Sequence, residues 1–417
     1  MYGLIGEKLG HSFSKLIHER LTDYTYHLLP LTREEFRDFM DKKAFTAINV
    51  TIPYKIEVIP FLDEMDAHAK AIGAVNTIVN RNGKLFGYNT DFSGFLYLLQ
   101  RHNIDVADKK VLVLGKGGAS KAIIAVLQYL GAKEVLTVYY KEAKDTITYD
   151  RCKKYHSDAQ VIINTTPVGM YPEIDNVPID LDDYKHCSAV IDVIYNPIRP
   201  MLIVQAQNRG IKAIGGLEML IAQAKYAVEI FQDKNIPDSV IDTIYQEMLL
   251  ERTNLVLIGM PSCGKSSIGK ELGKKLGKKV IDSDEEIVKA IGMSIAEYFA
   301  KYGEDAFRQK ETEVIKSISK ETGIILSTGG GCIKNPKNID YMKLNGKILF
   351  VDRPTQYLSI DPSRPLSKDM DTLRQMYQER LPLYQKYSDA TILNNETLSL
   401  AIQKTEEAFY ETLQHEV

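Results

Sequence analysis

At 417 residues the chain is too long for one compact core, and a usual size of roughly 150 residues per domain predicts two to four domains. Its apolar content of 44% and charged content of 26% are ordinary for a soluble globular protein. The formal net charge of −3 gives no sign of a nucleic-acid partner, which usually needs a strongly basic face.

No pattern in the sequence predicts a membrane partner or secretion. No stretch approaches the roughly 18 uncharged apolar residues that a membrane helix requires. The N-terminus carries no signal-peptide pattern. The cysteines are scattered without metal-ligand spacing or a disulfide framework: Cys152, Cys187, Cys263 and Cys332. We therefore expect a cytoplasmic protein.

Short β-rich runs alternate with helical patterns over the first hundred or so residues, which favours a sheet covered by helices. Strands are predicted at 2–5, 24–29, 47–50 and 76–79. Thr32, with Glu35 three residues later, predicts a capping box for a helix that runs to about Lys42. We assign residues 1–104 to a first α/β domain.

A doubly wound pattern begins near Asp108. A buried strand at 110–114 leads into a Gly-rich turn and an apolar helix at 119–130, and further strands are predicted at 135–139, 161–164, 190–192 and 212–214. We assign 105–235 to a Rossmann-like nucleotide-binding domain. A helix at 216–231 is followed by a second one, 236–250, which we expect to join the first domain.

The pattern restarts at Asn254, where a buried strand at 254–258 again leads into a Gly-rich turn and a helix. Two such starts, about 140 residues apart, raise the possibility of an internal repeat. The glycine spacings differ and the flanking residues do not match, so we predict an unrelated domain at 252–417. The predicted fold class is α/β throughout, and this last domain is a P-loop α/β domain with a parallel sheet.

The turn after residue 258 fits the phosphate-binding pattern G-x-x-x-x-G-K-[ST] between a strand and a helix. Its glycines let backbone N–H groups wrap phosphates, Lys265 is expected to reach the β- and γ-phosphates of ATP, and the Ser266 hydroxyl to ligate Mg²⁺. The predicted ATP-binding residues are Gly259, Ser262, Cys263, Gly264, Lys265, Ser266 and Ser267.

Further motifs follow this loop in order, and with it they make residues 254–390 resemble the shikimate kinases. They are D-S-D at 282–284, G-E-x-x-F-R-x-x-E at 303–311, the glycines Gly329, Gly330 and Gly331, R-P-L at Arg364, and R-x-P-L-Y beginning at Arg380. The resemblance implies that Asp282 supports Mg²⁺ through water and that Asp284 contacts the attacking hydroxyl. A hydroxyl nucleophile needs a carboxylate to orient it and accept its proton, which suits Asp284.

The same resemblance implies that Arg308 and Arg380 clamp the substrate carboxylate and that Glu311 orients the ring hydroxyls or Arg308. The glycine run would let the backbone approach the ring, and Arg364, in a mobile lid, would reach the transferring phosphoryl group. One departure concerns the nucleotide: 351–365 is short and, after Arg353 near its start, has no additional arginine before Arg364 where family members often stack one on adenine, although Tyr357 lies near that place.

The first half carries its own ordered set of motifs and resembles the shikimate dehydrogenases over about residues 2–231. The motifs are S-x-S at Ser12 and Ser14, N-V-T-x-P-x-K at 49–55, G-A-V-N-T at 73–77, N-T-D-F-S-G at 89–94, and the run 215–223. The resemblance implies that Lys55 is the acid/base and Asp91 its partner. It assigns ring hydroxyls to Thr51, Asn76 and Gln223, a further substrate contact to Tyr195, and the substrate carboxylate to the two serines.

The predicted dinucleotide site begins at the run Gly115, Gly117, Gly118, Ala119 and Ser120, and includes Gly216. NAD enzymes typically carry an acidic residue after the second strand of the fold for the ribose 2′-hydroxyl. Here the sequence is V-Y-Y-K at 138–141, which favours NADP(H). The family's N-R-T is absent as well, so Lys141 or Lys144 would replace its arginine as a poorer planar clamp, and NAD stays open.

The leading hypothesis is a bifunctional enzyme of aromatic amino-acid biosynthesis. It would reduce 3-dehydroshikimate to shikimate with NADPH and then phosphorylate the 3-hydroxyl with ATP and Mg²⁺. One alternative keeps the kinase class but changes the acceptor to another small polyol. A second makes one half an inactive structural or regulatory module. A separate hypothesis gives Cys263 or Cys332 a reactive thiol, since Cys263 neighbours Lys265 at a helix N-terminus.

Overall fold

The computed structural model describes residues 1–10, 12–359 and 369–414. The chain forms two compact units: the first comprises Met1–Asn196 and Gln205–Tyr245, and the second comprises Pro197–Val204 and Gln246–Val417. The finer division at 1–104, 105–235 and 252–417 stays a prediction. Within the described ranges, no helix combines the length and the apolar composition that crossing a lipid bilayer demands.

The first sheet is mixed and runs in the order β2-β1-β3-β5-β6-β4. β1 pairs in parallel with β2 and β3, whereas β5 is antiparallel to β3 and β6. The elements are β1 (Tyr2–Gly6), α1 (Ser14–Leu21), β2 (Tyr26–Pro30), α2 (Arg33–Lys42), β3 (Ala47–Val50), β4 (Glu64–Met65), α3 (Ala67–Ile72), β5 (Thr77–Arg81), β6 (Lys84–Tyr88) and α4 (Thr90–Arg101).

Alternate residues of this sheet pack against two different apolar clusters, as the two-residue period of a strand requires. Ile5, Ile48 and Ile78 belong to the cluster that contains Tyr54 and Phe36 of α2. Their neighbours Leu4, Ala47 and Val79 belong to the cluster that contains Tyr26 and Phe231. Tyr26 and Tyr54 therefore lie on opposite faces of the sheet.

The second sheet is parallel, in the order β12-β11-β10-β7-β8-β9. Counted from β7, this is the strand order 3-2-1-4-5-6 of a doubly wound nucleotide-binding fold. The elements are β7 (Lys110–Leu114), α5 (Gly118–Tyr129), β8 (Glu134–Tyr139), β9 (Ile147–Thr148), α6 (Tyr149–Tyr155), β10 (Val161–Asn164), β11 (Ala189–Asp192), α7 (Met201–Asn208), β12 (Lys212–Ile214), α8 (Leu217–Gln232) and α9 (Ser239–Arg252).

The third sheet, in the second unit, is also parallel and runs in the order β14-β15-β13-β16-β17. The first strand of this unit in the chain, β13, is the central strand of the sheet, so the turn that follows it lies between the ends of β15 and β16. The elements are β13 (Asn254–Ile258), α10 (Lys265–Leu276), β14 (Val280–Asp282), α11 (Ser283–Ile291), α12 (Ile295–Ile318), β15 (Ile325–Ser327), α13 (Pro336–Asn345), β16 (Gly346–Asp352), α14 (Met370–Tyr387), β17 (Ala390–Leu393) and α15 (Leu398–Gln414).

The predicted α/β fold class is confirmed. The Thr32 capping box is present: the Thr32 N–H donates to Glu35 Oε2 at 2.7 Å, and the Glu35 N–H donates to Thr32 Oγ1 at 3.3 Å. Predicted strands 47–50, 110–114, 161–164, 212–214 and 254–258 match observed bounds, and most others shift by one or two residues.

Candidate active sites

One cavity of about 460 Å³ in the first unit gathers most of the predicted dehydrogenase residues. It opens where strands of the first sheet, the N-terminus of α5 and one side of α8 meet. From the sequence prediction it is lined by Ser12, Ser14, Thr51, Lys55, Asn76, Asp91, Ala119, Tyr195, Gly216 and Gln223. Residues from separate stretches of the chain thus converge on a volume suited to a small ligand.

The centre of this cavity is an ion pair between Lys55 and Asp91. Lys55 Nζ donates to Asp91 Oδ2 at 2.5 Å, and the two side chains are only 14% and 10% exposed. Asp91 lies in the first turn of α4, where the helix dipole favours a negative charge. The Asn76 amide donates to the other carboxylate oxygen at 2.9 Å, so Asp91 is held from two sides.

Ser12 and Ser14 lie together at the start of α1, as the motif predicted. The Ser12 hydroxyl donates to Ser14 Oγ at 3.1 Å, and the Ser14 N–H donates to Ser12 Oγ at 3.2 Å. Ser14 is the first residue of the helix, so its hydroxyl lies beside unpaired N–H groups of the first turn. This corner of the cavity can receive an anion.

Gln223 and Tyr195 border the cavity from α8 and from the loop after β11. Gln223 Nε2 donates to Leu220 O at 2.8 Å, while its Oε1 accepts from the Thr90 hydroxyl at 3.5 Å. Burial raises the pKa of Tyr195 above its ordinary value, so its hydroxyl remains a neutral donor. Both side chains can therefore offer hydrogen bonds to a ring hydroxyl or a carboxylate.

The predicted dinucleotide turn lies between β7 and α5. Gly115 has a φ of 108°, and Ser120 Oγ donates back to Gly117 O at 2.9 Å. A β-carbon at Gly117 would meet open space, whereas one at Gly118 would lie 3.0 Å from Lys55 Cδ. The turn therefore leaves room over Gly117 for a pyrophosphate at the helix N-terminus and also touches Lys55.

Lys141 follows β8 and is exposed, with Nζ 5.3 Å from the ring centroid of Tyr140. Tyr140 itself is 69% exposed. The backbone carbonyl of Lys144 accepts a hydrogen bond from Lys116 Nζ at 2.7 Å, which ties this loop to the Gly-rich turn. The loop after the second strand of the fold thus carries Lys141 and Lys144 together with Glu142 and Asp145, and the V-Y-Y-K run itself contains no acidic residue.

Several residues of this cavity had no role assigned from the sequence. Lys8, Met170 and Met219 line it but lie outside the predicted binding positions, and only the folded chain brings them there. Asn49 lies inside the N-V-T motif, yet sequence reasoning gave it no function. The sequence could have indicated a role for Asn49, because an asparagine buried in a strand needs hydrogen-bond partners for both its side-chain oxygen and its NH₂ group.

In the second unit, the phosphate-binding loop has the backbone that its pattern predicts. Gly259 has a φ of 147° and Gly264 one of 102°, and Gly264 caps α10. Lys265 Nζ donates to Gly259 O at 3.0 Å and to Met260 O at 2.8 Å. The lysine is thus folded over its own loop, where phosphate oxygens would compete with these carbonyls for the ammonium.

The predicted magnesium ligands are adjacent in space. The Ser266 hydroxyl donates to Asp282 Oδ2 at 2.9 Å, although the residues come from α10 and β14. Asp282 also caps α11, accepting from the Asp284 N–H at 3.0 Å. A hydroxyl and a carboxylate beside a phosphate loop are hard oxygen donors of the kind Mg²⁺ takes. Ser267 lies exposed on the same turn of α10.

Arg308 is held between two carboxylates of α12. Its Nε and Nη2 donate to Glu304 Oε1 at 3.2 and 3.1 Å, and its Nη1 donates to Glu311 Oε2 at 2.9 Å. Lys334 Nζ adds a contact to Glu304 at 3.2 Å. Burial raises the pKa of Glu311, whereas the neighbouring Arg308 opposes that rise. Sequence reasoning assigned no role to Glu304, although it stands in the quoted motif.

The glycine run after β15 is packed between the predicted catalytic and clamping side chains. A β-carbon at Gly329 would lie 2.5 Å from Asp284 Oδ1, and one at Gly331 would lie 2.6 Å from Arg308 Nη2. Arg380 Nη1 donates to Gly330 O at 3.0 Å, and the Tyr384 hydroxyl donates to the same oxygen at 2.6 Å. The structure thus brings Asp284, Arg308 and Arg380 around one loop.

Three residues remain: one lies outside the described ranges, and two are the cysteines of the reactive-thiol hypothesis, of which Cys263 also keeps its predicted place in the ATP site. Arg364 lies outside the described residues. Cys263 is buried beside Lys265, with Nζ to Sγ at 3.6 Å, and is not exposed to reagents. Burial raises the pKa of Cys332 to about 12, so its thiol is the less reactive protonated form at neutral pH. The reactive-thiol hypothesis is therefore wrong for Cys332 and lacks access at Cys263.

Family comparisons agree with the two halves of the chain. Residues 4–78 match the family model for the shikimate dehydrogenase substrate binding domain, and residues 261–415 match the model for shikimate kinase. The NADP(+) shikimate dehydrogenase of Clostridium beijerinckii is 38% identical over 261 residues, which cover 58% of this chain and 96% of that protein.

Solved structures match the first part of the chain in the same way. Shikimate dehydrogenase 1 from Peptoclostridium difficile is 35% identical with a TM-score of 0.56, covering 59% of this chain and 97% of that one. The shikimate 5-dehydrogenase of Thermus thermophilus, in complex with NADP(H) and shikimate, is 25% identical with a TM-score of 0.53, covering 58% and 97%.

Proposed function

The chain belongs to the shikimate dehydrogenase family, and on this premise we propose that it is a bifunctional enzyme that makes shikimate and then phosphorylates it. The first unit reduces 3-dehydroshikimate with NADPH. The second, which carries the shikimate kinase domain, transfers a phosphoryl group from ATP to the 3-hydroxyl. The observation that carries the proposal is the convergence of the predicted dehydrogenase residues on one cavity, centred on Lys55 and Asp91.

Lys55 and Asp91 supply the proton chemistry of the reduction. When bound, NADPH supplies the hydride that the ketone carbon receives. The ketone oxygen needs a proton, and the Lys55 ammonium lies in the cavity where it can donate one. Asp91, at 2.5 Å, holds that ammonium in place and compensates its charge during the transfer.

The remaining cavity residues orient the ring. Ser12 and Ser14 offer two hydroxyls and a helix N-terminus to the substrate carboxylate. Thr51, Asn76 and Gln223 offer hydroxyl and amide groups to the ring hydroxyls. Tyr195, kept protonated by its raised pKa, is a further donor.

The fit of the dinucleotide rests on the turn before α5. The open space above Gly117 accommodates a pyrophosphate, and the N-terminus of α5 faces it. NADP-dependent relatives support the choice of NADPH. Lys141 and the neighbouring lysines supply the positive charge that a 2′-phosphate requires, in place of the arginine of the family motif.

In the second unit Asp284 is the residue that orients the substrate hydroxyl and accepts its proton. Arg308 and Arg380 bind the carboxylate, and the glycines 329–331 let the backbone approach the ring. Ser266 and Asp282 would hold Mg²⁺, which neutralises phosphate charge when bound. When ATP binds, the Lys265 ammonium gives up its hydrogen bonds to the carbonyls of Gly259 and Met260 and donates to phosphate oxygens instead.

The geometry argues against the alternative acceptor and against an inactive half. A polyol without a carboxylate would leave the two largely buried arginines, Arg308 and Arg380, without an anionic partner from the substrate. Against an inactive half, Lys55 pairs with Asp91 in the first unit, and Asp284 contacts the glycine loop in the second.

Paired single substitutions test the proposal. Lys55→Met should abolish NADPH oxidation by 3-dehydroshikimate and leave shikimate phosphorylation within about twofold of the parent. Lys265→Met should do the reverse. Absence of dehydrogenase or kinase activity in the parent protein would refute the corresponding half. Loss of both activities in either folded variant would refute independent sites.

A further inference from the structure

A buried chain of hydrogen bonds leads from β2 to the catalytic carboxylate. Its members lie on one face of the first sheet or at its edge, and each is at most 7% exposed. In order, they are Tyr26, Asn49, Thr77, Asn76 and Asp91.

Each link of this chain has hydrogen-bond geometry. The Tyr26 hydroxyl donates to Asn49 Oδ1 at 2.6 Å, and Asn49 Nδ2 donates to Thr77 Oγ1 at 3.1 Å. The Thr77 hydroxyl donates to Asn76 Oδ1 at 2.9 Å, and Asn76 Nδ2 donates to Asp91 Oδ1 at 2.9 Å. Lys55 closes the chain on the other carboxylate oxygen.

The direction of every bond follows from its first member. Complete burial raises the pKa of Tyr26 well above its ordinary value, so the phenol keeps its proton and acts as a donor. Asn49 must therefore present its oxygen to Tyr26 and its NH₂ group to Thr77. The Thr77 hydroxyl has its nearer acceptor in Asn76 Oδ1 at 2.9 Å, with Thr90 Oγ1 farther away at 3.2 Å. The NH₂ group of Asn76 then faces Asp91, where an acceptor is required.

Two further contacts support this orientation. The Thr90 N–H donates to Asn76 Oδ1 at 2.8 Å, which fixes the same end of the amide. The His18 ring stacks on the Tyr26 ring with centroids 3.9 Å apart, which restricts the position of the phenol. The rest of this sheet face is apolar, with Leu4, Ala47 and Val79 in the cluster around Tyr26. Buried polar groups in such surroundings are costly unless every one is paired.

We propose that Tyr26 and Thr77 are positioning residues for the dehydrogenase reaction, setting the orientation of Asn76 and thereby the place of Asp91. The proposal rests on the proposed function, in which Asp91 and Lys55 form the catalytic pair. Neither residue lines the cavity. Tyr26 reaches it through the chain, and Thr77 reaches it through Asn76 and through Thr90, whose hydroxyl oxygen lies 3.2 Å from its own. Removing one hydroxyl takes one hydrogen bond from a buried amide, Asn49 or Asn76, which loosens the hold on the carboxylate even though Thr90 still contacts Asn76.

Two substitutions with matched controls test this role in the full-length protein. Tyr26→Phe and Thr77→Val each remove one hydroxyl of the chain and keep the shape of the side chain. Tyr54→Phe removes the hydroxyl of another tyrosine that is 0% exposed, which donates to Leu31 O at 2.6 Å on the opposite face of the sheet. Thr77→Ser retains the hydroxyl and serves as the conservative rescue.

We expect Tyr26→Phe and Thr77→Val to lower kcat for shikimate oxidation about tenfold, with KM for NADP⁺ within about twofold of the parent. Tyr54→Phe and Thr77→Ser should keep kcat within about threefold. The melting transition that NADP⁺ and shikimate shift upward reports that the first unit of each variant is folded. If the loss of any buried tyrosine hydroxyl simply damaged the first unit, Tyr54→Phe would lose activity as Tyr26→Phe does.

The outcomes separate this inference from the proposed function. A parent protein that does not oxidise shikimate with NADP⁺ refutes the proposed function itself. A parent that does, together with equal kcat in Tyr26→Phe and Tyr54→Phe, overturns the positioning role. Should Tyr26→Phe not fold, the Thr77 pair decides: equal kcat in the valine and serine variants overturns the inference.

Discussion

At the scale of single residues, Lys55 is held between a carboxylate and the turn that begins α5. Its Nζ pairs with Asp91 at 2.5 Å, and its Cδ lies where a β-carbon at Gly118 would approach to 3.0 Å. The sequence motifs predicted Lys55 and Asp91 as partners. They could not predict that the dinucleotide turn also contacts the lysine, because this contact depends on how two distant segments pack.

Gly118→Ala should therefore slow the reduction without weakening the binding of the dinucleotide. The added methyl group displaces the lysine stem by a few tenths of an ångström, and we expect kcat to fall about tenfold, or ~1.4 kcal/mol of activation free energy. Gly117→Ala is the matched control, because its methyl group enters the pyrophosphate space and should raise KM for NADPH instead. Steady-state kinetics of both variants distinguish an effect on kcat from an effect on KM for NADPH. A Gly118→Ala variant that changed only KM for NADPH would contradict this prediction.

His18 predicts an acid sensitivity of the first unit. Burial lowers its pKa from 6.5 to about 3, so between these values the unfolded chain binds a proton that the folded chain does not. The free energy of unfolding should then fall as the pH drops below 6.5, by up to ~1.4 kcal/mol per pH unit.

His18→Phe keeps a ring against Tyr26 and removes the titration. Melting of the first unit, identified as the transition that NADP⁺ and shikimate shift upward, should decline less between about pH 7 and pH 5 in the variant than in the parent. Equal declines in the two proteins would show that His18 does not contribute.

At the scale of elements, uninterrupted apolar runs were predicted to the residue, as with β7 and β13. Short strands such as β9, Ile147–Thr148, could not be predicted, because two residues carry no periodicity. The hairpin of β5 and β6 was missed although its signal is present. Asn82 and Gly83 have φ values of 54° and 87°, the left-handed pair that an Asn-Gly turn favours.

The same limits apply to the sites. Asp282, at the end of β14, lies beside Ser266 of the phosphate-loop motif, and this proximity could be expected because parallel strands end at one edge of the sheet. The link from Tyr26 to Asn49 could not be foreseen, since it crosses β1 and requires the strand order β2-β1-β3.

The packing of α4 on α8 gives a prediction for a helix pair. A β-carbon at Gly94 would lie 2.9 Å from both Met219 O and Gln223 Cβ, so Gly94→Ala must push the helices apart. Asp91 on α4 and Gln223 on α8 both line the cavity. We expect a loss of stability of roughly 1–3 kcal/mol in the first unit and a lower kcat for the dehydrogenase.

Gly269→Ala in α10 is the control for this change. Its β-carbon would make only ordinary contacts at 3.5 Å or more, so the helix propensity of alanine should leave the second unit as stable or more stable. Calorimetry distinguishes the melting transitions of the two units, because NADP⁺ and shikimate shift that of the first unit and ATP with Mg²⁺ shifts that of the second. A Gly94→Ala protein with parental melting of the first unit would contradict the packing argument.

At the scale of the whole molecule, the second unit includes a segment from the middle of the chain, Pro197–Val204. Within this unit, Arg199 Nε donates to Lys343 O at 2.8 Å and Nη2 donates to Gly346 O at 2.7 Å, at the start of β16. Arg199 is 7% exposed. Sequence patterns assigned this segment to the dinucleotide domain, since its contacts are about 145 residues away along the chain.

Arg199→Ala should destabilise the second unit by roughly 2–4 kcal/mol, because two buried carbonyls lose a charged donor. The melting transition that ATP and Mg²⁺ shift upward should move to lower temperature. Arg374→Ala is the control, since that arginine of the second unit pairs with Asp371 at the surface and should cost at most about 1 kcal/mol. Equal effects of the two substitutions would contradict the structural role of Arg199.

We have proposed that one chain performs two consecutive reactions on the same ring. The most direct test of this proposal supplies the purified full-length protein with 3-dehydroshikimate and NADPH, then adds ATP and Mg²⁺, and identifies the products by mass spectrometry. We predict shikimate in the first stage and shikimate 3-phosphate in the second, with one NADPH and one ATP consumed per product. Accumulation of unphosphorylated shikimate after ATP addition, or no NADPH oxidation at all, would contradict the account.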